Sequence, residues 1–374
     1  GAVMGANFGL EHALWFAPSG VPPTETPTYR RSEAFDHVRA ECRAVRGKVG
    51  VYETTNYGKY GVTGRGARGW LDRVFASRIP AVGRLGLAPM LSPAGRVIGD
   101  LTIACLADDR FMIVGSGFAE EFHLRWFAGQ QAPADVFVRS AASTLCGVSI
   151  AGPQSRSLLQ PLVRTDLSAA AFKLFHLRQT AVGLAPAILT RAGFTGELGY
   201  EIWTTPDYFA TLYDELWEAG RSLGLTHFGG RALSSLRLEK AYGSFNKDFR
   251  PDYTAAETGL DRFIDFGKSL FAGREAALAE RAAGPARRFV VMEVADADAD
   301  VIGYESIIKD GAAVGYVTSG AYGHCIGKSL AAGYVPAGLA RDGERFDIDI
   351  LGEMRTATVR LQPLYDPDGV RLRG

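Results

Sequence analysis

Apolar and polar residues alternate with two different periods along the chain, and together the periods predict an α+β fold. Residues 206–217 carry apolar side chains at helical spacing, which predicts an amphipathic helix beginning at Pro206. Residues 97–106 alternate with the period of a strand and precede the apolar run 110–114, which predicts an antiparallel hairpin. In residues 190–203, glycines interrupt apolar β-formers, and this predicts a bend between two strands.

Further elements follow from the same periods. Helical spacing recurs in residues 32–47, 67–75, 118–127, 154–163 and 231–241. Near residue 285 the composition shifts, and short apolar segments separated by turns follow at 288–294, 306–308, 313–318, 346–350 and 357–361. Short strands at this spacing predict a compact β-barrel or sandwich as a separate C-terminal domain.

The first 29 residues differ from the rest because they are rich in glycine, proline and threonine. They predict an extended arm that is held to a domain surface by its aromatic side chains. Those aromatics are Phe8, Trp15 and Phe16. The total length of 374 residues predicts two or three domains.

Charge and hydropathy exclude some classes of partner. The 41 basic and 41 acidic residues cancel, so neither nucleic acid nor an anionic membrane is expected to bind. No apolar run reaches the roughly 18 residues of a membrane span, and no signal segment is recognisable, so a cytoplasmic location is predicted. The chain begins with Gly1 rather than Met, which indicates a tag scar or a piece of a longer chain.

Familiar catalytic and metal-binding motifs are missing from the sequence. The four cysteines lie far apart and form no CxxC pair, so reduced thiols are expected. The six histidines are dispersed, and neither a GxSxG nor an HExxH motif occurs. No metal site and no hydrolase triad are therefore predicted.

Two acidic residues stand out because they lie within predicted strands. An ionised carboxylate is costly inside a sheet unless something pairs with it. Glu201 therefore either faces solvent or receives the N–H donors of a ligand. Asp100 is either an ordinary turn-flanking aspartate or a functional group. The cations on the predicted helix 231–241, which are either solvated charges or anion partners, are Arg231, Arg237 and Lys240.

Short segments spread over almost the whole chain carry a family resemblance. They are GVYETT (50–55), GRVIGDL (95–101), AGP (151–153), GFTGELGYEI (193–202), SLRLE (235–239), GREA (273–276) and TSG (318–320). In this order and spacing they resemble the folate-binding T-protein family. That family includes the aminomethyltransferase of the glycine cleavage system and the C-terminal halves of dimethylglycine and sarcosine dehydrogenases.

The resemblance implies three domains around a central hole that holds tetrahydrofolate, with a C-terminal antiparallel β-barrel. The first two domains of the family are intertwined in sequence. The implied divisions are an arm (1–29), a folate-binding domain 1 (30–60 and 145–250), a domain 2 (61–144 and 251–285) and the barrel (286–374).

The resemblance also implies roles for individual residues. Asp100 corresponds to the catalytic aspartate, and Glu201 corresponds to the carboxylate that receives the N–H groups of the pterin. The adjacent donors of a pterin would satisfy an otherwise costly carboxylate at two points. The other positions that the resemblance places at the cofactor are Phe194, Tyr57, Val114, Arg231 and Tyr334.

Some positions depart from the common family pattern. Phe194 stands where many members have tyrosine, so its ring can stack but offers no hydroxyl. Leu233 replaces an arginine that the glycine-cleavage enzymes place near the folate, which argues against glycine-cleavage activity itself. Arg231 is a candidate replacement for that charge. Asn56 and Tyr57 replace a histidine-methionine pair beside the cofactor.

The implied function is tetrahydrofolate-dependent one-carbon transfer from a small methylated amine, sulfonium or methoxy donor. Residues 5–16 and 237–242 are closest to the dehydrogenase branch, although this chain has no flavin half. The activity would be that of a tetrahydrofolate-dependent aminomethyltransferase or methyltransferase, and a separate flavoprotein or carrier protein is an expected partner. One alternative is a direct demethylase that yields methyltetrahydrofolate. Another is a non-catalytic folate-binding subunit or structural partner of a flavoprotein.

Overall fold

The computed structural model describes residues 1–7, 10–295 and 297–374 and confirms the predicted α+β class. The strands are β1 Ala2–Asn7, β2 Leu10–Phe16, β3 Val49–Glu53, β4 Gly58–Thr63, β5 Leu85–Leu91, β6 Val97–Ala107, β7 Arg110–Gly115, β8 Phe137–Ser140, β9 Cys146–Ala151, β10 Leu177–Val182, β11 Ala185–Thr190, β12 Gly199–Thr204, β13 Leu225–His227, β14 Arg287–Val294, β15 Ser306–Lys309, β16 Ala312–Gly323, β17 Lys328–Pro336, β18 Arg345–Ile350 and β19 Glu353–Arg360. The α-helices are α1 Ala34–Gly47, α2 Ala67–Val74, α3 Glu120–Ala128, α4 Ser155–Leu159, α5 Pro206–Gly220, α6 Gly230–Glu239, α7 Ala255–Thr258, α8 Arg274–Ala283 and α9 Val370–Arg373.

One sheet, which we call the Glu201 sheet, has the strand order β10-β11-β12-β9-β3-β13. It contains the predicted bend, because β11 and β12 pair antiparallel on either side of the glycine-rich loop. On one face of β12, Tyr200 and Ile202 pack in a core that includes Leu216 of α5. Side chains alternate along a strand, so Glu201 and Trp203 extend from the opposite face.

The other open sheet, which we call the Asp100 sheet, has the order β5-β6-β7-β4-β8 and contains the predicted hairpin β6–β7. On one face of β6, Leu101 and Ile103 pack in a core with Trp70 of α2. The alternation of apolar and polar residues in β6 therefore distinguishes the side that packs on α2 from the opposite side. Asp100 and Thr102 lie on that second side.

The second faces of the two sheets meet in a shared apolar cluster. Ala104 and Met112 of the Asp100 sheet pack there with Leu177 and Trp203 of the Glu201 sheet. The faces that carry the two candidate acids are thus turned toward each other. The strands of each sheet come from sequence ranges compatible with the predicted intertwined domains, whose boundaries stay a prediction.

The C-terminal strands close into an antiparallel barrel in the order β14-β17-β16-β15-β18-β19, which confirms the barrel. Strand β17 was not among the predicted strands. Its centre, Leu330-Ala331-Ala332-Gly333, consists mostly of small residues with low β-propensity, so the local signal is weak. The strand forms because it is buried between β14 and β16, where neighbouring strands supply the pairing.

The N-terminal arm is more regular than predicted. Strands β1 and β2 pair antiparallel as a hairpin rather than lying extended. Trp15 is fully buried, and its indole Nε1 donates to Glu25 Oε2 at 3.0 Å, which confirms that an aromatic side chain holds the arm. Phe8, another of the predicted anchors, lies outside the described residues.

A Gly-x-Gly-x-x-Gly run at residues 64–69 follows β4 and opens α2, the order found in dinucleotide-binding units. The surrounding sheet is of a different kind, because β4 is antiparallel to both of its neighbours, β7 and β8. The backbone N–H of Gly66 donates to Asp135 Oδ2 at 2.9 Å. A carboxylate of the protein thus satisfies a backbone N–H at the start of α2.

Two of the three cations predicted in this region, Arg237 and Lys240, are buried and paired, so the prediction of solvated charges is wrong for these two. Arg237 and Lys240 are almost fully buried and form ion pairs with Asp248 and Asp366. The partners lie outside the helix, 11 residues from Arg237 and 126 residues from Lys240, which explains the difference. Within the described part of the chain, no helix is long and apolar enough to cross a membrane.

Candidate functional site

Asp100 lies on β6 on the face turned toward the Glu201 sheet. It is opposite Pro89 in the ladder and two residues from Thr102, which pairs with both Leu87 and Val114. Burial raises the pKa of Asp100 to about 7, and the nearby carboxylate of Asp248 adds to the rise. The carboxyl can therefore hold or release a proton near neutral pH.

Glu201 occupies the middle of the Glu201 sheet. It lies between Thr190 on β11 and Ser149 on β9, and Ser149 in turn pairs with Tyr52 on β3. Burial raises the pKa of Glu201 to about 7. Glu201 is half-buried rather than freely exposed. Its predicted alternative role, as the acceptor for a ligand's N–H donors, stays a prediction.

Neither carboxylate has a cationic partner in the described part of the chain. Within residues 1–7, 10–295 and 297–374, neither Asp100 nor Glu201 forms an ion pair, although most buried acids of this chain do. The indole Nε1 of Trp203 is buried and has no hydrogen-bond partner of acceptable geometry, and the same holds for Asn56 Oδ1. Unpaired buried groups are costly, so donors and acceptors here are available to a ligand.

Tyr57 and Val114 supply apolar surface beside these groups. Both pack in the cluster that contains Trp203, and the Tyr57 and Trp203 ring centroids are 6.3 Å apart. Burial raises the pKa of Tyr57 well above its usual value, and the nearby Tyr52 and Glu201 add to the effect. Flat rings next to an unpaired carboxylate suit a planar heterocycle that carries N–H donors.

Phe194 lies in the glycine-rich loop before β12 and stacks on Tyr242, with ring centroids 5.8 Å apart. It lines a cavity of about 560 Å³ together with Tyr52 and Leu233. Tyr52 also lies in the row of side chains that includes Glu201, so the cavity reaches the edge of the site. The lining residues come from the arm, α1, α6 and the barrel.

Arg231 lies on the wall of the same cavity, at the start of α6. Its guanidinium is paired with Glu25 of the N-terminal arm, and its side chain is 41% exposed. The structure thus shows a present partner for this cation. A role of Arg231 in holding the cofactor stays a prediction.

Tyr334 is linked to the site through the backbone carbonyl of Asp248. It is buried on β17, its ring stacks on Tyr253 at 3.6 Å, and its hydroxyl donates to the Asp248 carbonyl at 2.8 Å. The hydroxyl is therefore occupied by Asp248. The structure thus places Tyr334 against Asp248, the residue whose charge acts on Asp100.

Asp248 is a residue that sequence reasoning missed. Its carboxylate accepts from Arg237 Nη1 at 2.6 Å, from Thr318 Oγ1 at 2.5 Å and from the Ser244 backbone N–H at 2.9 Å. It is fully buried, and it joins α6 to the barrel.

Comparison with protein families decides which family this chain belongs to. The family model described as the GCVT N-terminal domain matches residues 1–268, and the glycine cleavage T-protein C-terminal barrel domain matches residues 287–366. The chain belongs to the glycine cleavage T-protein family. This confirms the resemblance inferred from the sequence segments.

Relatives of this T-protein family member include larger enzymes. Mitochondrial dimethylglycine dehydrogenase of Mus musculus is 35% identical over 99% of this chain and 43% of the relative. The 4-methylaminobutanoate oxidase (formaldehyde-forming) of Paenarthrobacter nicotinovorans is 32% identical over 100% of this chain and 46% of the relative. The chain therefore spans less than half the length of these two relatives.

A solved structure supports the fold of this T-protein family member. The crystal structure of glycine cleavage system aminomethyltransferase T from Bartonella henselae matches with a TM-score of 0.84. The match covers 98% of this chain and 95% of that one, at 21% sequence identity. The likeness confirms the T-protein architecture that was predicted.

Proposed function

We propose that this chain binds tetrahydrofolate and catalyses the transfer of a one-carbon unit to it from a small N-methylated donor. The observation that carries the proposal is the pair of unpaired, sheltered carboxylates, Asp100 and Glu201, on the facing sides of two sheets. Membership of a family of folate-dependent aminomethyltransferases supplies the cofactor class. The cytoplasmic location predicted from the sequence stays a prediction.

The residues present fit a tetrahydrofolate. Glu201 would receive the pterin N–H groups, which would satisfy a half-buried carboxylate that has no cationic partner among the described residues. Tyr57, Val114 and Phe194 would provide the apolar surface for its flat rings. Tetrahydrofolate, when bound, supplies the nitrogen nucleophile that takes up the one-carbon unit.

Asp100 would relay a proton and stabilise positive charge during the transfer. A carboxyl whose pKa is about 7 is populated in both protonation states at neutral pH, which suits a group that takes up or relays a proton. In its ionised form it would also stabilise positive charge that develops on the donor carbon. The ionised form would therefore serve both roles, and the protonated form would serve the proton relay.

The relatives indicate the donor class. Two of them are named for dimethylglycine and 4-methylaminobutanoate, which are N-methylated amino acids, and one is named as formaldehyde-forming. We therefore propose a donor fragment at the oxidation level of formaldehyde, released from an N-methylated amino acid. Oxidation of the N-methyl group requires an electron acceptor, for which a flavoprotein partner is the proposed source.

The proposal is tested by identifying the folate product. The purified protein would be incubated with tetrahydrofolate and N-methylated amino acids, together with a flavoprotein that oxidises them. Formation of methylenetetrahydrofolate above the rate without this protein, detected by mass spectrometry, is the expected result. The matched control is Asp100→Asn.

Other products would favour the alternatives. Methyltetrahydrofolate formed without any oxidant, from an amine, sulfonium or methoxy donor, would favour a direct demethylase. Folate binding without turnover of any donor would favour a non-catalytic subunit. Absence of folate binding would contradict the proposal as a whole.

A further inference from the structure

A β-bulge lies two residues before Asp100. Met90 pairs with Gly99 and Leu91 pairs with Val97, so Ile98 is an extra residue in β6 with no partner of its own in this ladder. A bulge bends its strand and redirects the side chains next to it. The direction of the Asp100 side chain therefore depends on how the bulge at Ile98 is held.

His123 of α3 holds the bulge. Its Nε2 lies 3.0 Å from the Ile98 carbonyl oxygen, and its Nδ1 lies 3.0 Å from the Tyr60 hydroxyl. A carbonyl oxygen only accepts, so Nε2 carries the proton and donates it. Nδ1 must then accept from Tyr60. The chain of hydrogen bonds runs from Tyr60 through His123 to the backbone that carries Asp100.

The imidazole has little freedom to move. His123 is 1% exposed, and its ring packs edge-on to Tyr60 and against Phe245. Burial lowers the pKa of His123 to about 4, so the ring is neutral near pH 7 and keeps one donor and one acceptor. At Gly99, a Cβ would come 2.8 Å from His123 Nε2, so the absence of a side chain there permits the contact.

We infer that His123, oriented by Tyr60, is a positioning residue that sets the direction of Asp100 through the bulged Ile98. The inference rests on the catalytic role proposed for Asp100. His123 has no role in the resemblance to the family or in the site described above. Misplacing a catalytic group by about 1 Å costs on the order of 100-fold in rate, so a backbone clamp next to Asp100 has a measurable consequence.

Two substitutions at His123 separate the clamp from general packing. In His123→Gln the side-chain amide retains an N–H donor for Ile98, whereas His123→Leu fills similar space without a donor. We expect His123→Leu to lower kcat by about 10- to 100-fold with little change in KM for tetrahydrofolate. We expect His123→Gln to restore part of the loss. Equal rates for the two variants would overturn the inference.

Tyr60→Phe tests the outer end of the chain. It removes the donor to Nδ1 but leaves Nε2 free to donate to Ile98, so we expect a smaller loss than for His123→Leu. A larger loss than for His123→Leu would overturn the proposed order of hydrogen bonds. Thermal unfolding and folate calorimetry on each variant establish that the fold and the Glu201 side of the site are intact. If His123→Leu does not fold, His123→Gln and Tyr60→Phe carry the test.

A readout that needs no turnover keeps the inference distinct from the proposed function. The Asp100 carboxyl can be titrated by carbon-13 NMR of aspartate-labelled protein, with its signal assigned by Asp100→Asn. The charged group that acts on it directly is Asp248, and Glu120 and Glu121 act on Tyr60. We expect His123→Leu to shift the Asp100 midpoint while other aspartates keep theirs. An unmoved midpoint would overturn the inference even if the protein proves to be an active folate enzyme.

Discussion

Arg237 and Asp248 form a buried ion pair in which Arg237 Nη1 lies 2.6 Å from Asp248 Oδ2. The hydroxyl of Thr318, on the barrel, donates to the other carboxylate oxygen. The negative charge of Asp248 is thereby fixed near Asp100, whose pKa is raised first by burial and further by that charge. Residues from α6 and the barrel therefore influence the proposed catalytic carboxyl from outside the Asp100 sheet.

Removal of the Asp248 charge is predicted to change the pH dependence of the reaction. A like charge disfavours ionisation of Asp100, so Asp248→Asn should lower the pKa of Asp100. The limb of the rate profile that reports Asp100 should move to lower pH. Asp252→Asn is a matched control, because its side chain is 67% exposed. A limb that stays in place in Asp248→Asn would contradict the electrostatic link.

Substitution of Asp100 is predicted to affect the rate far more than binding. Asp100→Asn retains the size of the side chain but removes its ability to relay a proton or to carry charge. Turnover should fall by about 100-fold or more, within the range of acid–base groups. Calorimetry should show tetrahydrofolate affinity close to that of the unchanged protein. Near-normal turnover with intact folate binding would contradict the catalytic assignment.

Substitution of Glu201 is predicted to affect binding. Glu201→Ala removes the acceptor for the pterin N–H groups, and a charge-assisted hydrogen bond contributes about 1.5 to 3 kcal/mol. Folate affinity should therefore fall by roughly 10- to 100-fold in calorimetry at pH 8. Glu53→Ala is a suitable control, since Glu53 is exposed at the end of β3 in the same sheet. Unchanged affinity in Glu201→Ala would remove the pterin role.

The sequence predicts the elements better than the contacts between them. The alternation in β6 predicts the side of the strand on which Asp100 lies, and the resemblance places Glu201 at the cofactor. Asp248 and His123 have no such local signal, because each also binds groups in segments that are distant in the sequence. Thr318 is 70 residues from Asp248. Strand β17 was missed for a related reason, since pairing within the barrel stabilises a segment whose own propensity is weak.

Glu201 is predicted to make the folate-free protein less stable as the pH rises. Burial raises the pKa of Glu201 to about 7 from an ordinary value of 4.5. The folded state therefore favours the protonated form, so stability is full below pH 4.5 and is lost as the pH rises through 7. Glu201→Gln cannot ionise and should gain thermal stability relative to the unchanged protein between pH 5 and pH 8. Parallel unfolding temperatures for the two proteins over that range would contradict the raised pKa.

Arg46 on α1 is predicted to be a major contributor to stability. Its guanidinium is buried and pairs with Glu239 at 2.8 Å and with Glu197 at 3.1 Å, and Glu197 lies in the glycine-rich loop of Phe194. Arg46→Met would leave buried carboxylates short of a partner, which costs about 3 to 5 kcal/mol in the free energy of unfolding. The exposed Arg43 on the same helix is the matched control, and Arg43→Met should change that free energy by about 0.5 kcal/mol or less. Urea unfolding measures both, and similar small effects for the two variants would show that the buried pairs contribute little.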